Sequence, residues 1–68
     1  MSESFEMTVD EAQAGLRMDV FLAGMVEDAT RSFLKKVVQD GRVTVNSHVC
    51  KKPSRMMAAG ETVVVDLP

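Results

Sequence analysis

The sequence has no tryptophan and no tyrosine, and its only aromatic residues are Phe5, Phe21 and Phe33. Proteins that grip single-stranded nucleic acid usually stack its bases on exposed rings, so this shortage argues against that mode. There is one cysteine, Cys50, so no internal disulfide can form. A reducing, cytoplasmic setting fits that usage. The single histidine, His48, and Cys50 together cannot complete a four-ligand structural zinc site, and neither a metal nor another cofactor is expected. No apolar run approaches the roughly 20 residues of a membrane span. The opening residues, Met1-Ser2-Glu3-Ser4-Phe5-Glu6, lack the basic and apolar regions of a secretory signal. A soluble intracellular protein is expected.

At 68 residues the chain has room for one domain, 1–68. A domain of this size buries only about 60% of the surface its unfolded chain exposes. It has little space to enclose a ligand pocket of roughly 300–1,000 Å³. That favours a binding module over a self-contained enzyme. The hydrophobic fraction of 46% and charged fraction of 26% are those of a folded globular domain. Six methionines supply adaptable packing where aromatics are scarce.

The net charge of −2 conceals a strong asymmetry. Residues 1–30 carry one basic residue, Arg17, against seven acidic ones, a net of −6. Residues 31–55 carry Arg31, Lys35, Lys36, Arg42, Lys51, Lys52 and Arg55 against Asp40 alone, a net of +6. Residues 56–68 carry Glu61 and Asp66. Salt screens charges beyond about 8–10 Å, so a phosphate backbone responds to the local charge rather than the total. On charge alone, a nucleic-acid surface and an ordinary solvated face remain equally open.

Apolar residues alternate at Phe5, Met7 and Val9, which predicts a strand over about 5–9 with one buried face. Met18, Phe21, Leu22 and Met25 recur at helical spacing from Arg17 to about Val26. Asp19 falls in the first turn, where a negative charge suits the helix dipole, and Glu27-Asp28-Ala29 closes the helix. A second helix follows Thr30, a suitable N-cap. Phe33, Leu34, Val37 and Val38 form its apolar stripe, and Gly41 ends it. Arg31 and Lys35, four apart, share one flank, with Lys36 across the polar face. Val43 and Val45 alternate with Arg42 and Thr44 in a strand. Asn46-Ser47 marks a turn, and His48-Val49-Cys50 resumes the extended run. Pro53 disfavours helix at Lys52, Ala58-Ala59-Gly60-Glu61 is a turn, and the β-branched run of residues 62–67 is a closing strand. The order predicts an α+β domain: two helices on one face of a small, mainly antiparallel sheet.

Four pieces stand in a telling order: Gly15-Leu16-Arg17-Met18-Asp19, Thr30-Arg31-Ser32, Gly41-Arg42-Val43-Thr44-Val45-Asn46-Ser47 and Gly60-Glu61. Over residues 15–67 the chain resembles the S4 domain, an RNA-binding fold. Lys51-Lys52-Pro53-Ser54 further resembles the N-terminal S4 domains of large-subunit ribosomal RNA pseudouridine synthases. The departures are Met18 for leucine, Thr30 for serine, Ser47 for glycine, Glu61 for aspartate, and Val20 where basic residues are common. The resemblance implies an S4-type (alpha-L) fold and an RNA surface on the second helix and the hairpin after it. That is the segment marked by charge.

The candidate RNA-binding residues are Arg17, Thr30, Arg31, Ser32, Lys35, Lys36, Arg42, Asn46, Lys51, Lys52, Ser54 and Arg55. The N-terminus of the second helix offers unpaired N–H groups to a phosphate, and Arg31 beside it carries a fork that suits phosphate oxygens. Basic and hydroxyl side chains with few aromatics suit structured RNA, which is read by shape, phosphates and 2′-hydroxyls. Phe33 is read as core and Asp19 as a helix-start residue. Arg17-Met18-Asp19 resembles the surroundings of the catalytic aspartate of pseudouridine synthases, but the Thr-Ser-Gly that should follow is replaced by Val20-Phe21-Leu22. No catalytic residue is assigned. His48 reads as an exposed turn residue and Cys50 as a small buried or half-buried one, without a base to activate it.

The expectation is a monomeric RNA-binding module for structured, ribosomal RNA. It would be the N-terminal accessory domain of a pseudouridine synthase whose catalytic domain follows Pro68. The alternatives are a free-standing S4 protein, the S4 domain of a tyrosyl-tRNA synthetase or an RNA methyltransferase, and a protein-interaction module whose acidic first thirty residues meet a basic partner.

Overall fold

The computed structural model describes residues 3–26 and 28–67. Glu27, expected at the close of the first helix, and Pro68, the expected junction with a further domain, lie outside the described residues. The elements run β1 (Glu3–Thr8), α1 (Met18–Met25), α2 (Arg31–Gln39), β2 (Val43–Val45), β3 (His48–Val49) and β4 (Thr62–Leu67). The strands form one sheet in the order β1-β4-β2-β3, every neighbouring pair antiparallel. The chain has the α+β architecture predicted from its periodicities.

The register explains which side chains are inside. Phe5 and Val43 flank Val65, and Met7 and Val45 flank Val63, so all six lie on one face. Five of them are buried together with Met18, Phe21 and Leu22 of α1 and Leu34, Val37 and Val38 of α2. Phe5, at the outer end of the edge strand, stays exposed. The expected first strand is displaced: it spans Glu3–Thr8, and Val9 has left the ladder. Val9 still points inward, because its N–H and carbonyl are taken by Glu61 and Gly60 of the turn before β4.

The helices begin and end where the local chemistry dictates. Thr30 Oγ1 accepts the Phe33 N–H at 3.1 Å, satisfying one of the first-turn donors. At the other end Gly41 adopts φ +80°; its N–H reaches the Val38 carbonyl and the Arg42 N–H reaches the Val37 carbonyl. That pairing is the Schellman arrangement, and it turns the chain straight into β2. Two expectations about stripes fail at their margins. Met25 is exposed at the end of α1, and Phe33 is exposed rather than core. The α2 stripe is centred by Leu34, Val37 and Val38, and at about 100° per residue Phe33 sits roughly 90° away from that centre. Between β2 and β3, Asn46 and Ser47 both take positive φ, +50° and +70°, which is the two-residue turn that matches strand twist.

Candidate nucleic-acid interface

The N-terminus of α1 has no side-chain cap; a loop serves it instead. The Met18 N–H donates to the Arg55 carbonyl at 2.8 Å and the Asp19 N–H to the Pro53 carbonyl at 3.1 Å. Just upstream, Gly15 and Leu16 exchange hydrogen bonds with Met57. The Lys51-to-Arg55 loop is thereby held against the first turn of α1. Its own bracing is ionic. Arg55 grips Glu61 through two hydrogen bonds, 3.0 and 2.6 Å, and Glu61 also accepts the Ala58 N–H. The hydrogen bond from Arg55 and that from Ala58 hold the Glu61 carboxyl below its ordinary pKa, against an opposing push from burial.

Asp19, whose N–H meets this loop, is buried beneath the surface. Its side chain is 0% exposed, and both of its oxygens are used. Arg17 binds it with two N–H groups, Nε to Oδ1 at 3.2 Å and Nη2 to Oδ2 at 3.1 Å. Arg31, from the first turn of α2, reaches Oδ2 at 3.4 Å, and the Val20 N–H meets Oδ1 at 2.9 Å. Burial pushes the Asp19 carboxyl up; the Arg31 hydrogen bond, the Arg17 charge and the Val20 N–H outweigh it and leave its pKa lowered. One buried carboxylate therefore orients two guanidinium groups, whose side chains remain 43% and 56% exposed. A guanidinium has five N–H donors, so each arginine keeps donors for an external anion.

The other predicted residues fall into distinct roles. Ser32, Lys35 and Lys36 are exposed on α2, and Lys51, Lys52 and Ser54 are exposed on the loop. None of the four lysines belongs to an ion pair among the described residues. Lys51 lies over the C-terminal end of α2, its Cε 3.2 Å from where a Gly41 Cβ would stand. Three predicted residues have structural employment. Thr30 caps α2. Asn46 holds the hairpin turn, its Oδ1 accepting the Thr62 N–H at 3.0 Å. Arg55 braces the loop. Arg42 lies 3.7 Å from Asp66 across the sheet. The sequence reading missed the organising part of Asp19 and the bracing part of Glu61. Arg17 and Arg31 are both candidate residues by sequence, but their convergence depends on the Arg31–Asp19 contact, twelve residues apart along the chain. His48 is exposed, as expected, though in a strand rather than a turn, and Cys50 is half-buried against the core. There is no enclosed pocket among the described residues, so the candidate site is an open surface.

The family profile described as the S4 domain matches residues 16–63, from the α1 approach to the start of β4. The chain belongs to the S4 domain family. S4 domains are RNA-binding domains, so RNA is the partner class of this one. Full-length relatives match as well. An uncharacterized RNA pseudouridine synthase of Aquifex aeolicus is 40% identical over all 68 residues, which cover 21% of that protein. The ribosomal large subunit pseudouridine synthase D of Escherichia coli K12 is 44% identical over 59 residues, 87% of this chain and 18% of that protein. The corresponding Yersinia pestis protein is 42% identical over the same span. This S4 domain thus spans about a fifth of the length of the relatives it matches.

Proposed function

We propose that this S4 domain docks on structured ribosomal RNA through the surface made by α2, the α1 N-terminus and the Lys51-to-Arg55 loop. It would act as the N-terminal accessory domain of a cytoplasmic RNA pseudouridine synthase. The observation that carries the reading is the buried Asp19 carboxylate with Arg17 and Arg31 both hydrogen-bonded to its Oδ2. A pair of arginines pre-oriented in this way loses less freedom on binding than two free side chains. Around them Ser32, Lys35, Lys36, Lys52 and Ser54 supply further phosphate and 2′-hydroxyl contacts of the kind by which structured RNA is held. The names of the matched relatives support the parent enzyme and its ribosomal substrate. In that setting this domain raises affinity and orients the RNA, and uridine isomerisation belongs to a catalytic domain outside these 68 residues.

The test is a titration of a ribosomal RNA stem-loop at two salt concentrations, with the triple variant Arg31→Glu, Lys35→Glu, Lys52→Glu alongside. A phosphate-binding surface predicts affinity that falls steeply with salt. It also predicts near-complete loss in the variant with circular dichroism unchanged. Weak binding that the variant leaves unaltered would move the site off this surface and favour a protein partner at the acidic residues.

A further inference from the structure

Of the three phenylalanines, Phe21 is 1% exposed and belongs to the core, whereas Phe5 and Phe33 are 39% and 41% exposed. The two exposed rings have opposite surroundings. Phe5 lies on β1 between Glu3 and Glu6, where phosphate is repelled. Phe33 lies in the first turn of α2, on a helix carrying Arg31, Lys35 and Lys36 and no acidic residue. Its backbone is fixed, because its N–H is the one that Thr30 caps. Lys36, three residues on, stands about 60° around the helix and one turn along it. An aromatic ring held at a helix start, with a cation about 60° around the helix from it, fits a base and the phosphate that follows.

We infer that Phe33 is a stacking platform for one unpaired nucleobase, with Lys36 taking the adjoining phosphate. The inference rests on the RNA-binding reading above and deepens it. The phosphate surface holds the folded part of the RNA, and Phe33 selects RNAs in which an unpaired base lies next to the stem. Sequence tolerance follows, because every base has a π-face.

The chain lacks tryptophan and tyrosine, so Phe33→Trp introduces the only indole and makes stacking directly visible. Two RNAs are used: a stem closed by a loop of unpaired adenines, and the same stem as a blunt duplex with no unpaired base. Phe33→Leu, which keeps an apolar side chain but removes the ring, is expected to bind the stem-loop roughly tenfold more weakly. It should bind the duplex within about twofold of the parent chain. Phe33→Trp should bind the stem-loop as the parent does, with its emission quenched by the stem-loop and not by the duplex. Equal affinities of Phe33→Leu and the parent chain for the stem-loop, with unquenched Phe33→Trp emission, would overturn the platform and leave the phosphate surface standing. Equal weakening of Phe33→Leu on both RNAs would likewise overturn it, assigning Phe33 to packing. Failure of the parent chain to bind either RNA at low salt would overturn both the platform and the RNA reading beneath it.

Discussion

Asp19 lies with its carboxylate wholly buried and its two arginine partners half in water. Such a group cannot shed its charge cheaply, and it cannot keep it without both partners. Asp19→Asn is expected to destabilise the chain by about 1.5–3 kcal/mol, the range for a lost hydrogen bond to a charged group, read by urea denaturation. The same substitution raises the net charge by one, which on Coulombic grounds alone would strengthen RNA binding. If Asp19 orients Arg17 and Arg31, stem-loop affinity should fall instead, and the slope of log affinity against log salt should flatten as phosphate contacts are lost. Stronger binding with an unchanged slope would remove Asp19 from the interface. The pH dependence has a definite sign. Asp19 and Glu61 both have lowered folded pKa values, so as acidity rises the unfolded chain takes up their protons first. Their contribution is complete above the unfolded carboxylate value of about 4 and disappears as pH falls through the lowered folded values. The double variant Asp19→Asn, Glu61→Gln should therefore start less stable at pH 7 and lose less between about pH 5 and 3. Parallel stability curves would contradict this.

At the scale of elements, the local signals were legible where one residue type has one job. Thr30 caps α2, Gly41 ends it in the left-handed region, and Asn46-Ser47 turns the hairpin, each as its chemistry requires. Phe33 satisfies the helical pattern by its spacing of four from Val37, yet it is exposed. The direction of burial, though, is set by Leu34, Val37 and Val38 together, and a margin position can face either way. Asp19 reads as a first-turn acid from sequence, which is true and incomplete, since its partner Arg31 arrives only when α2 packs against α1. Ser47 offers a test of the local argument. A non-glycine residue in the left-handed region costs roughly 1–2 kcal/mol, and Ser47 sits there at φ +70°. Ser47→Gly should recover about 0.5–1 kcal/mol by thermal or urea unfolding, because the more flexible unfolded glycine gives back part of the gain. Gly41→Ala should act in the opposite direction at φ +80°. The nearest atom to the added methyl is the movable Lys51 Cε, so the cost comes from the backbone rather than from a clash. A Ser47→Gly chain no more stable than its parent would show that the turn is not strained.

The whole molecule is polar in charge, and the sheet order sets the geometry of that polarity. Acidic β1 is one edge of the sheet, two strand spacings from β2, which follows directly from basic α2. At about 4.8 Å per spacing this separates them by roughly 10 Å, close to the Debye length of about 8 Å at 0.15 M salt. The acidic edge should therefore oppose RNA at low salt and cease to matter near physiological salt. Neutralising β1 and the loop after it with Glu3→Gln, Glu6→Gln and Asp10→Asn is expected to tighten stem-loop binding a few-fold at about 0.02 M salt and to leave it unchanged at 0.15 M. Lys35→Glu with Lys52→Glu, by contrast, should weaken binding at both, because those side chains would touch phosphate rather than act at a distance. Fluorescence anisotropy with a labelled stem-loop measures both variants across the salt series. If the lysine reversals left stem-loop binding unchanged at both salts, those side chains would not touch phosphate, and the RNA surface would lie off α2 and the Lys51-to-Arg55 loop.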